Sequence, residues 1–138
     1  MTQKVQEALA AAQSLAARHD HQQIDVEHLL LALLTQEGGL AQGILNRAEV
    51  DSDRLARRVR EEIERLRRVV GPAAGPDRIY ITGRLNRLLA EAEEEAKKLK
   101  DEYISVEHLL LAMTDDGGAT GRLFREFGLT RERLMRAL

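Results

Sequence analysis

Two Glu-His pairs, Glu27-His28 and Glu107-His108, hold the chain's densest acid-base chemistry, and they lie 80 residues apart in the same setting. A helix turns about 100° per residue, so adjacent side chains point in different directions. A helical zinc pair needs the i, i+4 spacing of H-E-x-x-H, and that motif is absent. His19 and His21 flank a turn, but nothing nearby in sequence completes a ligand set. Neither a G-x-x-x-x-G-K-[ST] phosphate loop nor a G-x-S-x-G elbow occurs. The residue types predict no catalytic centre, no metal and no cofactor.

The setting of the two pairs is an internal repeat. Ile24-Asp25-Val26-Glu27-His28-Leu29-Leu30-Leu31-Ala32-Leu33 recurs as Ile104-Ser105-Val106-Glu107-His108-Leu109-Leu110-Leu111-Ala112-Met113, identical at eight of ten positions. Upstream, Thr2, Val5, Leu9, Ala12 and Ala16 fall on Thr82, Leu85, Leu89, Ala92 and Ala96. Downstream the offset becomes 79, so that Thr35, Gly38, Gly39, Leu45 and Leu55 fall on Thr114, Gly117, Gly118, Phe124 and Leu134. One helical unit is written twice, which directs attention to the surface the copies share.

With 138 residues the chain is long enough to bury about two-thirds of its unfolded surface. Trp is absent and only Tyr80, Tyr103, Phe124 and Phe127 are aromatic, so the core must be aliphatic. Without Cys there is no disulfide framework or thiolate metal site. The longest apolar run, Leu29 to Leu34, is too short for a bilayer, and the N-terminus lacks the apolar stretch of a signal peptide. These features predict no membrane partner and a cytoplasmic location. Net charge is −2. The arginines from Arg54 to Arg68 alternate with Asp51, Asp53, Glu61, Glu62 and Glu64, a compensated helix face rather than a nucleic-acid stripe.

The elements follow from caps and periodicity. Thr2 caps a first helix carrying Val5, Leu9, Ala12 and Ala16 on one stripe. Asp25 caps a second helix that is apolar nearly all round and therefore central. Gly38-Gly39 ends it, Leu40 to Ala48 forms a third, and Asp51 or Ser52 caps a fourth with Leu55, Val59, Ile63 and Leu66 inward. Gly71-Pro72-Ala73-Ala74-Gly75-Pro76 stops all helical structure. Thr82, Ser105 and Thr130 open helices five, six and eight, and Leu123, Phe124 and Phe127 mark helix seven. The reading is one all-α domain over 1–138: eight helices as two pseudo-twofold-related four-helix repeats, 1–70 and 77–138, joined by a linker at 71–76. The two central helices are expected near the axis. Because the copies satisfy each other, the isolated domain is expected to be a monomer.

Within this frame Glu27 and Glu107 stand in the first turn of a central helix, where a carboxylate complements the helix dipole by roughly 0.3–1 kcal/mol. Facing an inter-repeat groove, they would meet a cation or N–H of a bound peptide. His28 and His108 stand three residues past a cap, placed to reach back to the start of the helix. Tyr103 occupies the place of Gln23; it reads first as plain packing of a partly buried aromatic, and second as an asymmetry that would make one groove stickier than the other.

The segment from Thr2 to Gly39, with Ala8-Leu9-Ala10-Ala11-Ala12-Gln13-Ser14-Leu15-Ala16, His19-Asp20, Glu27-His28-Leu29 and Thr35-Gln36-Glu37-Gly38-Gly39, resembles the first repeat of the Clp N-terminal domain family. Asp101-Glu102-Tyr103-Ile104-Ser105-Val106-Glu107-His108-Leu109-Leu110 resembles the second. The likeness covers essentially the whole chain and is strongest to the protein-disaggregase branch. It implies a substrate-recognition module standing before AAA+ ATPase modules, absent from this chain, in a hexameric ring. Such a module binds unfolded or aggregated proteins, or adaptors, and is not itself an enzyme. It also implies that Thr2, Asp101 and Glu107 line the polar edge of a shallow groove for exposed hydrophobic segments, which Tyr103 and Glu27 would extend. The protease-unfoldase branch implies the alternative: adaptor docking, or phosphoarginine recognition through Glu27 and Glu107. That branch tends to carry Thr where this chain has Val26 and Val106.

Overall fold

The computed structural model describes residues 1–66 and 79–138. The expected linker at 71–76 lies outside the described residues. Eight helices are described: α1 (Gln3–Arg18), α2 (Val26–Thr35), α3 (Leu40–Arg47), α4 (Ser52–Glu64), α5 (Gly83–Lys98), α6 (Val106–Met113), α7 (Ala119–Glu126) and α8 (Arg131–Ala137). Among the described residues the fold is all-α apart from two parallel two-residue strands, β1 (Gln23–Ile24) and β2 (Tyr80–Ile81). Elements this short carry no period-2 signal, so the pattern that located the helices passed over them.

The expected caps are in place. The Thr2 and Thr82 hydroxyls accept from the N–H groups of Val5 and Leu85 at 3.4 and 3.0 Å. Asp51 accepts from Asp53 and Arg54, and Thr130 from Arg133. His28 Nδ1 accepts the Asp25 N–H at 2.9 Å, and His108 Nδ1 the Ser105 N–H at 2.8 Å. Details of the inward faces differ. The stripe of α1 runs through Val5, Ala8, Ala12 and Ala16, with Leu9 only partly buried. Its three alanines let α1 approach α2 closely. Leu66 falls beyond the end of α4 and is half-buried, and Phe127 caps the C-terminus of α7.

Every residue from Val26 to Leu34 is buried, and so is all of α6 except Glu107. Helices apolar around their whole circumference need cover on every side. α1 and α4 cover α2, and α5 covers α6. The remaining cover crosses between repeats: α3 packs on α6 and α8, while α7 packs on α2 and α4. The third helix of each copy thus serves the other copy, so the repeats interlock. Arg58 forks onto Glu126 at 3.1 and 3.2 Å along this seam. Arg54 stands 5.2 Å over the Phe127 ring, and Arg47 Nε donates to the Ala137 carbonyl.

A buried ion cluster also fastens the repeats. Arg84, in the first turn of α5, forks onto both oxygens of Asp116 at 2.8 and 2.7 Å. It also forks onto Glu27, with one arm at 3.1 Å from Oε1 and the other on Oε2. Asp25 Oδ2 adds a contact at 3.2 Å. Burial by itself would raise the Asp116 pKa, but Arg84 and the Gly121 and Gly118 N–H groups hold it below the usual carboxylate range. Close approach dictates two glycines here. A Cβ on Gly118 would lie 2.4 Å from the Arg84 guanidinium carbon, and one on Gly121 would lie 1.9 Å from the Asp116 carbonyl oxygen.

Two predictions follow from the buried charges. Arg84→Met leaves buried carboxylates without their cation and should destabilise the domain by about 3–5 kcal/mol at neutral pH. Arg84→Lys, which supplies a point charge rather than a double fork, should lose less but still measurably. Denaturant midpoints check both, and the gap to the parent should narrow below about pH 5 as carboxylates protonate. The second concerns His28. Burial first, then the facing His21, pushes its pKa from 6.5 down to about 4, against smaller opposing effects of Asp25. A group held neutral by the fold stabilises fully above its unfolded pKa and loses that contribution as the unfolded chain protonates. Stability should therefore fall by about 3 kcal/mol between roughly pH 6.5 and 4. His28→Gln keeps a side chain able to complete the cap and should flatten the decline over that window.

Candidate functional site

The pseudo-twofold builds the same surface twice from the same backbone. Thr82 N–H donates to the Ile24 carbonyl at 3.1 Å, and Thr2 N–H donates to the Ile104 carbonyl at 2.9 Å. In each case the residue capping a repeat's first helix is tied to the segment leading into the other repeat's central helix. Asp20 and Lys100 both take left-handed backbone after that first helix, at φ 57° and 60°. The turn places His21 beside His28 in one copy and Asp101 beside His108 in the other.

Although the backbones correspond, the side chains make the copies different. In the first, Glu27 is 2% exposed. Both its oxygens meet Arg84, and Oε2 also accepts from the Thr120 N–H and hydroxyl at 3.2 and 2.7 Å. His28 Nε2 lies 2.9 Å from His21 Nδ1, both rings buried. This copy is closed.

In the second copy Lys4 stands in the place of Arg84, Ser105 in that of Asp25, Glu37 in that of Asp116 and Ala41 in that of Thr120. Lys4 Nζ points away to the Glu37 carbonyl at 3.3 Å and to Glu7 at 3.9 Å. Among the described residues Glu107 makes no ion pair, and it is partly exposed. Asp101 lies with Glu107 and His108 in a group whose nearest N and O atoms are within 4.8 Å of one another. The cap settles the tautomer of His108: Nδ1 accepts from Ser105, so Nε2 carries the proton and donates to Asp101 Oδ2 at 2.8 Å. A protonated Nε2 offers no lone pair to a metal, so these three residues do not form a ready ligand set.

Of the residues singled out from sequence, Thr2, Asp101, Tyr103 and Glu107 come together at this open copy. Thr2 is bonded to Ile104, Tyr103 precedes Ile104 in the segment leading into α6, and the two carboxylates flank His108. Tyr103 is 61% exposed and Met1, next to Thr2, 42%. Glu27 lies in the closed copy instead. Arg84, Asp116 and Met1 were not anticipated. The repeat alignment sets Arg84 against Lys4 and Asp116 against Glu37, but only packing shows that Arg84 meets carboxylates of the other repeat while Lys4 stays with its own. Among the described residues no helix is long and apolar enough to cross a membrane.

Comparison with known proteins agrees with this architecture. The Clp repeat (R) N-terminal domain model matches residues 1–127. Chaperone protein ClpB of Bacillus anthracis is 45% identical over 138 residues, covering 100% of this chain and 16% of that protein. ClpB of Nitratidesulfovibrio vulgaris is 41% identical, covering 99% and 16%. The chain therefore spans about a sixth of the length of these curated relatives. Among solved structures, the N-terminal domain of the ClpV1 ATPase from E. coli EAEC Sci1 T6SS superposes with a TM-score of 0.81 at 28% identity, covering 99% of this chain and 82% of that one. The Hsp104 N-terminal domain from Candida albicans, 21% identical with a TM-score of 0.83 over 99% and 87% of the two chains, shares the fold. By sequence, by repeat order and by fold, the chain belongs to the Clp repeat (R) N-terminal domain family, as a non-catalytic module.

Proposed function

We propose that the chain is the client-recognition module of a disaggregase of the ClpB type, and that the open copy around Glu107 is the face it presents to exposed hydrophobic segments of unfolded or aggregated proteins. The observation that carries this reading is the asymmetry of the two copies. One Glu is sealed under an internal arginine. Its counterpart stands partly exposed beside Asp101, and the exposed Met1 and Tyr103 adjoin Thr2 and Ile104, which a backbone hydrogen bond joins. An extended client would lay side chains on Met1, Tyr103 and the half-buried Ile104. Its backbone N–H groups, or a basic side chain, would turn toward Asp101 and Glu107.

A contact of this size buries less than about 1,200 Å², so each domain binds weakly. Six domains around a ring of AAA+ modules in the cytoplasm would recover affinity through effective concentration. Adaptor docking or phosphoarginine recognition is the second reading. Phosphoarginine recognition calls on both Glu27 and Glu107, and Arg84 already holds the first.

The test is titration of a reduced and alkylated, permanently unfolded protein into labelled domain. Glu107→Ala and Tyr103→Ala should each weaken binding roughly three- to tenfold. Thr2→Ser keeps the cap and should bind like the parent, while Thr2→Ala costs about 1 kcal/mol of helix capping as well. Tyr80→Ala is the control: Tyr80 is 59% exposed but stands beside the closed copy, and its loss should leave binding unchanged. Equal binding by the parent, Glu107→Ala and Tyr103→Ala would sink the reading. Tight binding to free phosphoarginine, with indifference to the unfolded protein, would replace it with the second.

A further inference from the structure

We propose that the closed copy is a preformed guanidinium receptor filled by the chain's own Arg84, so that each domain offers one client-facing site rather than two. Only the last clause rests on the client-binding reading; the receptor stands on the geometry of its walls.

Each wall has a donor besides Arg84. Glu27 is held by the N–H and hydroxyl of Thr120 at 3.2 and 2.7 Å. Asp116 is held by the N–H groups of Gly118 and Gly121 at 3.1 and 3.2 Å, and Asp25 by the Thr82 hydroxyl at 2.9 Å. Three carboxylates thus converge on one planar cation, two of them in fork geometry. A planar fork is the shape of a guanidinium and not of an ammonium. Glu27 and Asp116 are nearly out of reach of water, whereas the Arg84 side chain keeps 25% of its surface exposed. Solvent thus reaches the occupant more than the walls. Because Arg84 comes from the second repeat and Glu27 from the first, the occupant is an inter-repeat ligand that happens to be covalently attached.

The corresponding position in the open copy shows what an unplugged arrangement looks like. Lys4 has no fork, Ser105 brings no charge, and Glu107 is left without an internal cation among the described residues. The same backbone is self-satisfied on one side and available on the other.

The experiment removes the plug and adds it back. Arg84→Ala should melt well below the parent, and millimolar ethylguanidinium should restore several degrees in a saturable way. Ethylammonium should restore much less, and the parent should not respond to either. Arg84→Ala with Glu27→Gln should show no saturable response. If Arg84→Ala does not fold alone, recovery of folding with ethylguanidinium carries the same conclusion. No rescue, equal rescue by ethylammonium, or undiminished rescue in the double variant overturns the receptor. Calorimetric titration of the parent with a short unfolded peptide should give one peptide per domain, and two per domain overturns the single-site clause. The ethylguanidinium series uses no client, so failure of client binding leaves its result intact, and failure of rescue leaves the open face untouched.

Discussion

α2 and α6 are apolar on every side, and this one constraint organises the molecule. A surface helix asks for cover along one stripe, but a helix buried from Val26 to Leu34 must be surrounded. Four short helices cannot close around it alone. Each repeat therefore lends its third helix to its neighbour, α3 to α6 and α7 to α2. Each half's central helix takes part of its cover from the other half, so among the described residues the two units share one core cluster. The small residues of α1 and α5, Ala12, Ala16, Ala92 and Ala96, serve the same end by letting the outer helices lie close.

Duplication fixes backbone geometry twice while leaving the side chains free to diverge. The repeated caps, the repeated left-handed turns at Asp20 and Lys100, and the repeated bonds from Thr82 and Thr2 preserve a common scaffold. On it, a few exchanges alter the chemistry. Arg84 in place of Lys4 and Asp116 in place of Glu37 turn one surface into a sealed ion cluster. Asp101 in place of His21 gives the other a carboxylate where the first has a buried imidazole ring. Gathering three carboxylates, two of them buried, around one cation is tolerable only because Thr82, Thr120, Gly118 and Gly121 supply the remaining donors. The closed copy therefore contributes rigidity at the seam, and the chemistry that can meet another molecule is concentrated at the open one.

Much of this was legible in the chain before any coordinates. The ten-residue repeat located both central helices, and Thr2, Thr82, Asp25 and Thr130 marked helix starts because a cap is a local interaction between residues two or three apart. The reach of His28 and His108 back to their caps is local in the same way. Leu9 packs on the core only from the edge of its stripe, because helical periodicity gives a stripe and not its centre, and Leu66 falls past the end of α4, because helix ends are set by contacts the periodicity does not contain. The strand pair was missed because two residues have no period. Glu27 looked equivalent to Glu107 because their immediate sequences are nearly the same.

By itself the sequence determined what depends on near neighbours: all-α content, helix starts, the twofold plan and the residue types available at each copy. Tertiary structure alone decided which Glu is buried and which is exposed. That outcome rests on Arg84 and Thr120 arriving from the other repeat, 57 and 93 residues away along the chain. A guanidinium and a hydroxyl at such separations leave no local pattern. Whether a carboxylate is a fastening or a point of contact is set by what packs against it, and packing is a property of the folded chain.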